Sequence, residues 1–532
     1  MTGTAGGSRG ALARRRRVVL TVAAASAATL MLGACSAKSS SSTSPKRPTH
    51  AGGTLVWGKS LDIQLMDPAA SSNASDWEFL QVVYDRLVGL DDKGNPVPDL
   101  ATSWQETSPT TYVFTIRPGV KFSNGRAMTV DDVAGTLNRI ENPKTASYWA
   151  AHLGIKNAVP VGSNQVKVTL NAPRTALIAA LASPMASILP MKELNAATFD
   201  PTKQMLGTGP LMVKAHTKDQ SWTLVRNPSY WGKPASPSEV DIKILPDDAA
   251  RIAALRTGTI DVAAFDTPDS AKLLKSQSNI STTVQEANSY YRLDVNAKSS
   301  LFSDSRLRQA LALSIDRSQI AQVAFGGVGQ PTAAIVPAFK VCPADSVPFG
   351  KTNVNQARQL VAAAGDTGKT ITIQATSGYK TFAPIAQVLQ QNLERAGLKV
   401  KIEQLDTGVW VDKVFGAKPS FDISVSFSDN YADPSMVLND YNPIAAVFNA
   451  KYMLVDPTLN DYVAQANAEA PGAARDAVQK QACDRIASNA NMIPLITKPF
   501  IIAYRTDKIV ADVASLDPYT VPLANVATFA LR

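Results

Sequence analysis

Residues 370–405 read TITIQATSGYKTFAPIAQVLQQNLERAGLKVKIEQL. The segment divides into a strand over 370–375, a helix over 384–396 and a second strand over 398–405. A strand–helix–strand unit of this length makes a right-handed parallel crossover, because a right-twisted strand feeding a helix packs back onto its sheet only that way. The fold class expected from this stretch is α/β. Just upstream, residues 363–370 (Ala-Ala-Gly-Asp-Thr-Gly-Lys-Thr) satisfy a relaxed phosphate-loop pattern. A phosphate loop needs a strand before it and a helix after it, so that amides and helix dipole converge on the anion. Here a helix precedes and a strand follows, so the stretch reads as a helix end running into a strand.

The same kind of reading extends outward. A helix over 353–364 opens on Asn353 and ends at Gly365, and residues 306–313 are helical. Asp316-Arg317-Ser318-Gln319 is a capping box for the next helix, which Gly326-Gly327 can close. Nearer the N-terminus, residues 53–59 read as a strand. Residues 111–117 alternate, with Tyr112, Phe114 and Ile116 facing one way and Val113, Thr115 and Arg117 the other. Asn124-Gly125 marks a turn, and Thr129 caps a helix with Asp132 at its third position. The apolar face of that helix is Val130, Val133, Leu137 and Ile140.

With 532 residues, 45% of them hydrophobic and 18% charged, the chain is an ordinary globular sequence of two to four domains. Its formal charge of +9 is misleading. Residues 1–34 hold Arg9, Arg14, Arg15, Arg16 and Arg17 and no acid, and setting them aside leaves +4. No basic stripe interleaved with aromatics is visible, so no nucleic-acid partner is expected. Three cysteines and three histidines leave little material for a metal site, and none is expected.

The arginine cluster 14–17 precedes an apolar run over 18–32. Fifteen helical residues reach about 22 Å, short of the ~30 Å hydrocarbon core, so the run reads as a signal peptide rather than a span. It closes on Leu32-Gly33-Ala34-Cys35, which resembles a lipoprotein lipobox. Cys35 is expected to carry the lipid, and the Ser/Thr/Pro/Lys-rich stretch to residue 50 reads as a flexible tether. The arginines are compatible with either the general or the twin-arginine export route. Outside the cell, the remaining pair Cys342 and Cys483 favours a disulfide, the alternative being two buried thiols.

Catalytic machinery is not evident. There is no Gly-x-Ser-x-Gly elbow, His50 lies in the tether, and His152 and His216 read as surface or satisfied core residues. The acidic pairs Asp131/Asp132 and Asp247/Asp248 sit where helices open, which is where acids belong electrostatically.

A set of ordered blocks carries a family resemblance. They are Leu100-Ala101-Thr102-Ser103-Trp104, the run 111–125 from Thr-Tyr-Val-Phe to Ser-Asn-Gly, and Thr129-Val130-Asp131-Asp132-Val133. Gly207-Thr208-Gly209-Pro210, Arg226-Asn227-Pro228-Ser229-Tyr230-Trp231-Gly232, the run 254–261, and Arg306-Leu307-Arg308-Gln309-Ala310-Leu311 with Ile315-Asp316-Arg317 follow in order. Over roughly residues 53–505 the chain resembles the bacterial extracellular solute-binding proteins of family 5, the peptide/nickel/opine type that serves ABC importers.

The resemblance implies a periplasmic-binding-protein-like, type II flytrap of two lobes with an extra inserted domain. Its boundaries would be 51–90, 207–295 and 505–532 for a discontinuous lobe I, 91–206 for the insertion and 296–504 for lobe II, after a signal (1–34) and tether (35–50). Tyr290, Tyr291 and Asn296 would lie at or near the hinge. In the peptide-binding branch an Asp four residues before a Pro pairs with the ligand's α-ammonium. The matching position here is Asn430, with the acid one place earlier at Asp429, and Phe427 near an expected Trp. Candidate ligand contacts are Asp429, Asn430 and Tyr431 from this segment, and Trp410, Tyr290 and Tyr291 as aromatic walls that bind side chains without reading them closely. The expected function is that of a lipid-anchored monomeric receptor, without cofactor, on the outer face of a cell membrane. It would pass peptides or peptide-like solutes to a permease. The alternatives are an exported hydrolase, or a sensor of the same fold for chelated nickel, an opine or an oligosaccharide.

Overall fold

The computed structural model describes residues 52–532 except 72–73, 92, 266, 286–288, 338, 429–430, 445–448, 511–512, 514–522 and 524. The described residues all belong to one compact unit, 48–532. The lipobox with Cys35, and the pair Asp429 and Asn430, lie outside the described residues.

The segment that opened the sequence reading folds as strand Thr370–Thr376, helix Phe382–Arg395 and strand Lys399–Leu405. The two strands pair in parallel, Ile371 against Val400 and Ile373 against Ile402. The helix turns Phe382, Ile385, Ala386, Leu389 and Leu393 into the core. Each of the four larger side chains withdrawn from water contributes roughly 1.5–3 kcal/mol, which is what holds the crossover onto its sheet.

Among the described residues the strands form three larger sheets and one small hairpin. A seven-stranded sheet runs Ile280–Gln285, Phe500–Arg505, Val262–Phe265, Thr54–Lys59, Glu239–Ile244, Ser221–Arg226, Leu211–Thr217. A five-stranded sheet runs Lys399–Leu405, Thr370–Thr376, Ile423–Ser428, Tyr290–Val295, Met492–Thr497. Within residues 91–206, a four-stranded antiparallel sheet (Ala101–Ser108, Thr111–Ile116, Gln165–Leu170, Ile155–Val161) packs on helix Val130–Glu141. Tyr112, Phe114 and Ile116 are its buried alternate, and Val130, Val133, Leu137 and Ile140 the helix's buried face.

Sheet membership moves two boundaries drawn from sequence. Strand Tyr290–Val295, assigned to lobe I, pairs with Ile423–Ser428 on one side and Met492–Thr497 on the other, so it belongs to the five-stranded sheet. Strand Phe500–Arg505, assigned to lobe II, pairs with Val262–Phe265 and Ile280–Gln285, so it belongs to the seven-stranded one. The chain therefore crosses between Gln285 and Tyr290 and returns between Thr497 and Phe500. The Lys498 N–H donates to the Ser289 carbonyl at 2.7 Å, joining the two crossings. Asn296 is not at this hinge. It follows the far end of its strand and donates Nδ2 to the Phe421 carbonyl at 2.9 Å.

The Gly-Thr-Gly-Pro block has a steric origin. A β-carbon at Gly207 or Gly209 would overlap the Val83 carbonyl, to which the Gly209 N–H donates at 2.9 Å. Between them Thr208 donates its hydroxyl to Asp85 at 2.9 Å. Cys342 and Cys483 form a disulfide with Cα atoms 6.1 Å apart.

Candidate binding cavity

A cavity of about 210 Å³ opens beside the five-stranded sheet. Ser426 and Phe427, near the C-terminal end of strand Ile423–Ser428, line it. Trp410, Val411 and Phe415 reach it from helix Thr407–Phe415, which directly follows the parallel strand Lys399–Leu405. In α/β sheets such crevices lie outside the carboxyl ends of the strands, where successive connections part.

Trp410 is a fixed wall. It is 5% exposed, its indole N–H donates to Ser424 Oγ at 2.9 Å, and Phe382 and Phe415 meet it edge-on at 5.8 and 5.3 Å. Arg292 forms the polar floor. Its Nε donates to Asp294 Oδ1 at 2.7 Å, Nη1 donates to Ser428 Oγ, and Nη2 reaches Asn449 Oδ1 at 3.4 Å. Burial pushes the guanidinium pKa down, but the wholly buried Asp294 carboxylate outweighs this and holds it above its ordinary value.

The remaining wall brings together distant parts of the chain. The Tyr431 hydroxyl donates to Asp440 Oδ2 at 2.5 Å and lies 2.7 Å from the hydroxyl of Tyr148, which stands 283 residues earlier in the chain. Because Tyr431 spends its proton on Asp440, Tyr148 is the donor of the second bond. Trp149 stacks on Tyr431 (6.0 Å, 17°), and His152 packs against it at 4.9 Å with Nε2 3.8 Å from Asp440 Oδ1. Burial, and next the positive charge of Arg174, push the His152 pKa down to about 3, so the imidazole is neutral. Burial first, then Asp440, push the Tyr431 hydroxyl well up. The Thr175 N–H donates to the Asn467 carbonyl at 2.9 Å, a second bond between these distant parts of the chain.

Of the residues singled out from sequence, Trp410 and Tyr431 line this cavity together and Phe427 joins them. Tyr290 and Tyr291 do not line it. Their strand is paired on both edges and buried along its whole length, so alternation sends each into packed protein. Tyr290 bonds to the Ile335 carbonyl and Tyr441, while Tyr291 accepts from Thr381 and packs on Phe325. Sequence reading passed over Tyr148, Arg292, Asp440 and Asn449. Asp440 offered only one signal, a carboxylate one helical stretch beyond Asp433-Pro434. His216 is stacked on Trp222 and sits 3.1 Å from Asp62, a structural contact. Among the described residues no group of three or more His, Cys, Asp or Glu side chains is placed to hold a metal ion.

Residues 95–446 match the family model of the bacterial extracellular solute-binding proteins, family 5 (middle). The chain belongs to that family. Among its relatives, a probable D,D-dipeptide-binding periplasmic protein of Escherichia coli K12 is 27% identical over 72% of this chain and 76% of its own. A glutathione-binding protein of Shigella dysenteriae is 25% identical over 82% and 88%. The fold matches a binding protein from A. tumefaciens solved with agropinic acid (TM-score 0.81, 24% identity, 90% of this chain and 98% of that one). It also matches a Helicobacter pylori binding protein solved with the peptide STSA (TM-score 0.80, 22% identity, 91% and 98%). This family-5 chain thus has the two-lobed binding-protein fold and is a solute-binding component of an ABC importer, not an enzyme. The exported-hydrolase alternative falls with that assignment. Its relatives work outside the cytoplasm, and among the described residues no helix is long and apolar enough to cross a membrane.

Proposed function

We propose that this family-5 protein captures a small peptide-like solute at the outer face of a cell membrane, held there by a lipid on Cys35, and delivers it as a monomer to an ABC permease. The observation that carries the reading is the cavity itself, with aromatic walls on a polar floor at the carboxyl edge of parallel strands. Rigid aromatic faces bind varied side chains through area rather than hydrogen-bond pattern. The cavity, about 210 Å³, has room for a small solute. Trp410 and Tyr431 flank the solute.

Native mass spectrometry of protein purified from its own host, followed by denaturing release, tests the reading. Released di- or tripeptides are the expected result. An opine, a sugar or a metal chelate would keep the receptor and discard the peptide. The anchor is tested separately by metabolic labelling with a fatty acid, which Cys35→Ser should abolish.

A further inference from the structure

Two cations stand at the cavity, one in its floor and one beside its wall, and the protein treats them differently. The guanidinium of Arg292 is answered from within. Asp294, two residues along the same strand and on the same face, is wholly buried beside it, and Ser428 and Asn449 accept from its other nitrogens. That pair carries no net charge, and most of its hydrogen-bonding capacity is spent.

Lys498 is placed otherwise. It lies between strands Met492–Thr497 and Phe500–Arg505, where its backbone N–H holds the Ser289 carbonyl at 2.7 Å. The residue is half-buried, and its ammonium sits over two rings. One is Phe427, a wall of the cavity, with the nitrogen 4.7 Å from the ring centroid. The other is Phe500, at 5.1 Å. Among the described residues no carboxylate pairs with this ammonium and no protein group accepts a hydrogen bond from it. Aromatic faces attract a cation and fix where it stands, but they are neutral and leave its charge intact. Its three N–H donors stay open to an acceptor brought from outside. The ammonium and the cavity share the Phe427 ring, which Phe382 holds edge-on at 6.4 Å. The flexible four-carbon stem of lysine lets the charge swing across that ring toward a solute packed on it.

We infer that Lys498 is the receptor for an anionic group of the solute, a carboxylate in a peptide-like one, bound beside Phe427 where the two large sheets join. The inference rests on the cavity being the solute site. It makes Lys498 the specificity-determining residue for that charge. A charge-assisted bond to an ammonium partly withdrawn from water separates a carboxylate from the neutral amide of the same shape. The location has a consequence. Phe427 belongs to the five-stranded sheet and Phe500 to the seven-stranded one. A solute anion there meets a side chain packed on both, which is where a ligand gains differential affinity for one arrangement of the two.

The test uses an equimolar mixture of dipeptides with free carboxyl termini and the same mixture as C-terminal amides. Each is added to the full-length protein after ligand removal and read by native mass spectrometry. The wild type is expected to retain the free acids about tenfold or more tightly than the amides. Lys498→Met keeps the stem and deletes the charge, so it should abolish that preference while leaving weak binding of both sets. It should melt as the wild type does, because no ion pair within the protein is lost. Lys498→Arg keeps the charge and should keep the preference, and Lys498→Gln replaces the methionine variant should that one fail to fold. Equal retention of both mixtures by the wild type overturns the role of Lys498 and leaves the peptide reading standing. So does a preference for the acids that survives in Lys498→Met, which would pass the role to Arg292. Retention of neither mixture overturns the peptide reading and, with it, the inference.

Discussion

Packing among Tyr148, Trp149 and Tyr431, with ring centroids 4.5 to 5.4 Å away, keeps the His152 imidazole neutral down to about pH 3, against an ordinary value of 6.5. Between those values the unfolded chain binds a proton that the native one refuses, so this group's contribution to stability is lost as pH falls from about 6.5 toward 3. His152→Leu removes the term, and its melting temperature should decline less than the wild type's between pH 7 and 4. Parallel curves would mean the native protein accepts the proton after all. Glu141 works in the opposite sense. Burial raises its pKa from 4.5 to about 7, while one oxygen accepts the Ile155 N–H at 2.8 Å. Here the native state holds the proton that the unfolded chain has released, so stability falls as pH rises from about 4.5 to 7. Glu141→Gln keeps the acceptor and deletes the titration, so its melting temperature relative to wild type should climb across that window and level off above it. A gap that stays constant with pH would sink the argument. Neither shift can be read from sequence. Tyr148 and Trp149 are local neighbours of His152, but Tyr431, which seals it, stands far along the chain, and burial is a property of that meeting.

At the scale of an element, the start of helix Val130–Glu141 shows how much a local signal leaves out. Thr129 and Asp132 form the expected reciprocal cap, with the Thr129 N–H and hydroxyl donating to Asp132 at 2.9 and 3.1 Å. The same carboxylate, almost fully buried, also takes a two-pronged pair from Arg126 at 2.9 and 2.8 Å and the Met191 N–H at 3.0 Å. Asp132→Ala therefore strands a guanidinium and two backbone donors, a loss of about 3–5 kcal/mol. Denaturant unfolding would show it as a lower midpoint, and a cost below about 1 kcal/mol would mean Glu193, which also pairs with Arg126, compensates. The lesson runs through the fold. Helix and strand identity was legible wherever periodicity and caps are local, as in residues 370–405 and 111–117. Sheet membership was not, because strand Tyr290–Val295 is placed by hydrogen bonds to partners more than a hundred residues away. The site followed suit. Tyr431 could be picked out beside a family motif and Trp410 as an aromatic wall, whereas Arg292, Asp440 and Tyr148 join them only through tertiary pairing.

For the whole molecule, the chain passes from the seven- to the five-stranded sheet after Gln285 and returns before Phe500, and between the two passages the Lys498 N–H donates to the Ser289 carbonyl. A pair of neighbouring connections lets two lobes rotate while each keeps its own packing. The disulfide respects that division. Cys342 precedes and Cys483 follows the strands Thr370–Thr376, Lys399–Leu405 and Ile423–Ser428, so the bond closes a loop of 141 residues around the cavity-bearing lobe and does not bridge the crossings. Closing a loop of that length in the unfolded chain is worth up to about 5 kcal/mol, and the benefit falls on the lobe's stability rather than on the motion. Replacing both cysteines by alanine should therefore lower the melting temperature clearly, while solute affinity at a temperature well below melting stays within about twofold, since ligand binding acts on a folded lobe in either protein. Calorimetric unfolding paired with titration of the same solute separates the two effects. A tenfold loss of affinity in a protein that is still folded would show that the bond shapes the cavity wall itself, and that stability and recognition in this lobe are not independent.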